Sequence, residues 1–183
     1  MFALSLSKGE TMAEKQTFGE RLATILFSRF PFIAEMWVKK FEAQRVEGIP
    51  WTPLEKEISR CKIGIVTTAG VHLKNQQPFD MVDHDGDPTF REVPRDASKS
   101  ETTITHKYYD HTDADKDINI VFPIDRLLEM KERGEIGELA EFHYSFMGHI
   151  LGRHLKTLVE ETGPEVARRL RSAGVDVALL TPG

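Results

Sequence analysis

Two short, β-branched apolar runs constrain this chain most: "KIGIVTT" at residues 62–68 and "VDVALLT" at residues 175–181. Each is too short to be a helix of ordinary length, and each reads as a strand with apolar side chains on both faces. The second run follows "VARRLRSAG", an amphipathic helical pattern that stops at Gly174, a residue suited to a helix C-terminus. Helix feeding directly into apolar strand is the signature of a parallel sheet. The predicted fold class is therefore α/β: a mainly parallel, Rossmann-like sheet covered by helices on both faces, with an N-terminal helical appendage. In such sheets, ligand-binding groups collect beyond the carboxyl ends of the strands.

The remaining punctuation divides the chain in three. Residues 1–16 read as a disordered or misannotated leader, with Met12 as an alternative start. Residues 17–48 carry two helical patterns. The first is capped by Thr17 and Glu20, and the second has Ser28 as cap and Pro31 in its first turn. Residues 49–183 form the α/β domain. Within it, a second strand is predicted over Thr102–Lys107 and a third over "ELAEFHYSFMG". A helix should open at Pro123 and close at Gly134, another should run from His149 to Glu160, and Thr162 with Glu165 has the spacing of a capping box.

Composition excludes several classes. With a formal charge of -5 and no basic stripe, nucleic acid is not an expected partner. No apolar stretch approaches the ~20 residues of a membrane span. A single cysteine, Cys61, rules out an internal disulfide and, with no secretion signal, points to the cytoplasm. Cys61 precedes the first strand, at the wrong end of a parallel sheet for catalysis, and reads as inert.

Candidate site residues follow from position. Thr67, Thr68 and His72 stand at or just past the end of the first strand, and His106 and Asp110 follow the second. The acidic "DHDGD" at residues 83–87 is not an EF-hand loop: Gly86 is fourth rather than sixth, and Pro94 occupies the twelfth position, where a Glu is needed. It reads as a solvated loop. "THKYYDHTDADKDIN" is rich in His and Asp but has no recognised metal-ligand spacing, so a hydrogen-bonded frame is at least as good a reading. No metal site is expected.

Five stretches taken in order resemble one family: "VTTAGVHLKNQQPFD", "GDPTFREVP", "THKYYDHTDADKDINIVFPIDRL", "IGELAEFHYSFMG" and "ETGPEVARRLRSAGVDVALLTPG". They are similar to the selenoprotein B family of glycine, sarcosine, betaine and D-proline reductases, and most to its D-proline type. The resemblance covers Trp51–Gly183. It implies a cytoplasmic, oligomeric subunit that reductively cleaves a C–N bond of an amino acid. A pyruvoyl-containing partner subunit would capture the amine, a selenolate would attack the α-carbon, and a thiol reductant would complete the cycle. It also implies a selenocysteine directly after Gly183. On that expectation this chain is C-terminally truncated, holds no catalytic residue and is inactive alone. Thr67, Thr68, His72, His106 and Asp110 are expected to bind substrate. Two other readings stand beside it: a non-catalytic small-molecule-binding or subunit-assembly protein of the same fold, and a metal-dependent hydrolase built on the loop around His106.

Overall fold

The computed structural model describes residues 52–183; the expected leader and helical appendage lie outside the described residues. Strand β1 (Lys62–Thr67) is the axis, with Ile63, Gly64, Ile65 and Thr67 buried. Three strands run parallel to it. Strand β5 (Glu138–Leu139) lies beside its start, β6 (Phe142–Phe146) beside its end, and β7 (Val177–Thr181) along most of its length. Strand β3 (Phe90–Pro94) closes the far side, antiparallel to β6. A separate antiparallel ribbon pairs β2 (Val71–Leu73) with β4 (Thr102–Ile104).

The expected third strand is thus a line of chain broken at Ala140 and Glu141 into β5 and β6. The break has a chemical repair. Ala140 donates to the Ile63 carbonyl at 2.9 Å, and the next inward amide of β1, that of Ile65, donates at 3.0 Å to Nδ1 of His143. A buried amide needs a partner, and here an imidazole stands where a strand carbonyl would.

Helices are few. Short α1 (Thr112–Lys116) precedes α2 (Ile124–Glu132), which opens after Pro123 and ends before Gly134 as the sequence indicates. The predicted helix from His149 starts only at His154, because residues 149–153 turn around Gly152 (φ 48°). From there α3 (His154–Thr157) runs through a π-helical turn (Leu158–Thr162) into α4 (Gly163–Ser172). Thr162 is consequently not a cap. Its backbone is helical, and its buried hydroxyl has no partner. Pro164 explains the widened turn, since it lacks the N–H that would bond back four residues and its ring crowds that carbonyl.

Two clusters fill the interior. In the first, Val121, Phe122, Ile124 and Leu127, at and around the start of α2, pack with Ile63, Ile65 and Leu139, and Val177 and Leu179 of β7 border it. In the second, Val166 and Leu170 of α4 pack with Tyr144 and Phe146 of β6 and with Val66. Gly64 allows this, because a Cβ there would stand 2.7 Å from Leu170 Cδ2. The Rossmann-like expectation holds only in part. The architecture is mixed α/β and four of the five strands of the sheet run parallel, as expected, but β3 adds an antiparallel edge and, among the described residues, few helices cover the sheet. The polar segment 74–107 contributes the antiparallel edge β3 and the ribbon strand β4, where a doubly wound fold would place another helix. Among the described residues no helix is long and apolar enough to cross a membrane.

Candidate functional site

The carboxyl ends of β1 and β7 meet at a small hydroxyl-lined node. Thr67, fully buried, donates from Oγ1 to the Val121 carbonyl at 3.0 Å and accepts the Ala69 amide at 3.2 Å. Thr181 donates to the same Val121 carbonyl at 2.7 Å. The Thr68 amide donates to the Thr181 carbonyl at 2.9 Å, and Thr68 Oγ1 accepts the Gly183 amide at 3.2 Å. One carbonyl ahead of α2 and three threonines therefore fix where the chain goes after β7.

The turn from β1 into β2 forms the floor. Gly70 (φ 71°) bends it, and a Cβ there would sit 2.3 Å from the Thr105 carbonyl oxygen. Its amide donates to Phe146 and its carbonyl accepts from Thr105, both at 2.9 Å. Against this turn lies His106, whose Nδ1 accepts the Tyr108 amide at 3.1 Å and whose ring meets Tyr109 edge-on at 4.7 Å. Burial pushes the His106 imidazole down to about 4, so it is neutral near pH 7. Tyr109 donates to the Ala69 carbonyl at 3.1 Å, and burial raises its pKa.

The five residues singled out in the sequence are not equivalent. Thr67 and Thr68 form the node, and His106 flanks it through Gly70 and Tyr109. His72 lies within β2 rather than past a strand and is buried; its Nδ1–H donates to the Leu73 carbonyl at 2.8 Å and its Nε2 accepts the Thr105 hydroxyl at 2.7 Å. With both nitrogens engaged, it ties the ribbon together. Asp110 is exposed and accepts the Thr112 amide and hydroxyl at 3.1 and 2.6 Å, shaping the entry to α1. Thr181, Tyr109 and the Val121 carbonyl escaped the sequence reading. Thr181 sits in the same strand-end position as Thr67, the one signal that could have found it.

Elsewhere, several acidic residues have partners nearby. Asp83 pairs with Arg153 and His154, and the hydrogen bond from His154 is the main cause holding its carboxyl down to about 2. His111 bonds Asp115, Asp113 bonds Lys116, and Asp117 caps the turn at Asn119. Among the described residues, no group of three or more metal-ligating side chains stands together. Cys61 is buried at the opposite end of β1, its thiol 3.4 Å from the Glu57 carbonyl. A cleft of about 520 Å³ also lies at that end, lined by Lys62, Arg95, Glu138 and Glu141 among others.

A family model described as glycine/sarcosine/betaine reductase selenoprotein B matches residues 7–183. The chain belongs to that family. Among curated proteins, the D-proline reductase subunit gamma of Acetoanaerobium sticklandii is 44% identical over 133 residues, which are 73% of this chain and 53% of the relative. The glycine reductase complex component B subunit gamma of Carboxydothermus hydrogenoformans is 29% identical over 139 residues, 74% of this chain and 31% of its own. The sarcosine reductase complex component B subunit beta of Peptoclostridium acidaminophilum is 26% identical over 151 residues, 78% of this chain and 34% of its own. The match thus spans about half of the D-proline reductase relative and about a third of the others. All three relatives are named as subunits or complex components of reductases. No solved structure matches the chain.

Proposed function

We propose that this chain is the front part of a selenocysteine-dependent reductase subunit, of the kind that cleaves a C–N bond of D-proline or of glycine, sarcosine or betaine. The observation that carries the proposal is the node at the carboxyl ends of β1 and β7. Thr68 and Thr181 there aim the chain leaving β7 into the position where α/β sheets hold reacting groups. A selenocysteine following Gly183 would lie at that point. If a helix begins there, its amino end favours a selenolate as it favours an ionised thiol.

In this reading the selenolate attacks the substrate α-carbon, the C–N electron pair leaves with nitrogen, and a thiol reductant resolves the resulting adduct. For substrates with a primary or secondary amine, a pyruvoyl group on a partner subunit would supply the carbonyl that makes nitrogen a better leaving group. Nothing in this chain has to hold that group, and its own residues have simpler tasks. Thr67 and Thr68 position the loop and substrate, neutral His106 offers a hydrogen bond without a charge, and His72 and Asp110 hold the frame.

The experiment is to sequence the gene past codon 183, express the read-through product with its partner subunit and assay amino-acid reduction. A UGA followed by continuing frame, with activity on one of the named substrates, is the expected result. In that enzyme Thr68→Val should lower kcat/KM by about tenfold, or roughly 1.4 kcal/mol of transition-state stabilisation. A stop with no coding sequence behind it sinks the catalytic reading and leaves the binding or assembly role.

A further inference from the structure

The surface of β7 poses a question that the node does not answer. Its side chains alternate. Val177 and Leu179 border the first core, whereas Ala178 is exposed and Leu180 is 71% exposed. In register, Ala178 stands beside Gly64 and Leu180 beside Val66. Gly64 and Val66 are covered by α4 through Leu170 and the second cluster. The cover given to β1 on that face therefore stops short of β7. Among the described residues, β7 also pairs with no strand but β1. The alternation that turns the Thr181 carbonyl to the Thr68 amide turns the backbone groups of Ala178 and Leu180 to the open edge.

Topology says what fits there. The chain leaves β6, crosses over β1 through α4, and returns as β7, parallel to β1 and so to β6. A further parallel strand beyond β7 continues in the same direction. Crossovers between parallel strands keep one hand, so its connecting helix must lie on the same face as α4. That is the face on which Ala178 and Leu180 are bare. The direction of travel, the open edge and the bare apolar pair all specify one geometry.

We infer that the outer edge and α4-side face of β7 form the docking surface for the portion of the family polypeptide that follows β7. It enters as an amphipathic helix over Ala178 and Leu180 and then adds a parallel strand to the edge. This rests on the reading above that family chains continue past β7. Nearly half of the D-proline reductase relative lies outside the matched region, a length that is ample for such a unit where it follows β7. The arrangement also sets the amino end of that helix beside Thr68 and Thr181.

The test joins the sequence that follows the matched region in the Acetoanaerobium sticklandii relative, with cysteine for any selenocysteine, to Gly183. This chimera is compared with the 183-residue chain. In the chimera, exchange of the Ala178 and Leu180 amides should slow at least about 100-fold, as expected of amides entering a paired strand. Leu180→Lys should lower the chimera's Tm by at least about 5 °C and leave the shorter chain within about 1 °C, because Leu180 is already in water there. Val82→Lys, at an exposed site in another loop, should change neither protein. Unprotected amides in the chimera, or equal effects of Leu180→Lys in both proteins, overturn the proposal. So does concentration-dependent protection of the shorter chain, which would make a second copy the occupant. None of these readouts depends on catalysis, so they stand or fall separately from amino-acid reduction.

Discussion

Histidine at residue scale is the most informative type in this chain. His143 replaces a backbone carbonyl: its Nδ1 accepts the Ile65 amide, which places the ring proton on Nε2, a buried atom with no partner. His106 and His143 are each pushed down to about 4 by burial, and His72 and His149 are shifted in the same direction, also chiefly by burial. An unfolded chain protonates its imidazoles near pH 6.5, whereas the native state delays uptake at His106 and His143 until about pH 4. The unfolded state therefore binds more protons between those values, and stability falls as pH falls through that window while staying flat above it. The urea midpoint should decline steadily from pH 6.5 to 4.5, and a flat profile would contradict neutral burial. His143→Leu should cost about 1–3 kcal/mol at pH 7, because it strands the Ile65 amide, and should remove about one proton from the acid dependence.

For the elements, contacts can be separated from backbone conformation at two glycines. Gly70 and Gly134 share φ 71°, but a Cβ at Gly134 meets nothing within 4 Å, whereas at Gly70 it strikes the Thr105 carbonyl. Gly134→Ala should cost about 1 kcal/mol from conformation alone. Gly70→Ala should cost at least about 2 kcal/mol more, since backbone rather than a side chain must yield. Urea titration of both variants measures the difference. The same logic shows what was legible in the sequence. β1, β7 and α2 were readable because their apolar runs and Pro and Gly boundaries agree. β3 was hidden because "FREVP" carries charge and a proline, which an edge strand tolerates but a buried strand pattern does not signal. The break between β5 and β6 was hidden because its repair comes from a side chain, His143, that no periodicity reports. Thr67 and Thr68 could be placed from strand ends, but the Val121 carbonyl that Thr67 shares with Thr181 lies 54 residues from Thr67 in sequence and only folding brings it near.

On the largest scale, the described residues are built around one strand whose neighbours come late in the chain. The Lys62 amide is satisfied by Asp176, 114 residues downstream, and the Ile65 amide by His143, 78 residues downstream. Contacts this remote require loop closure before they stabilise anything, so refolding from urea should proceed in milliseconds to seconds rather than microseconds. Variants that weaken α2 alone should accelerate unfolding more than they slow folding, because helix formation is not what the barrier waits for. On the ribosome the delay is longer. At about 5–20 residues per second, β1 is synthesised on the order of ten seconds before β7 exists. Until β5 and β6, and finally β7, have been made, its apolar segment lacks part of its flanking sheet, which makes the nascent chain a natural client for chaperones over that interval.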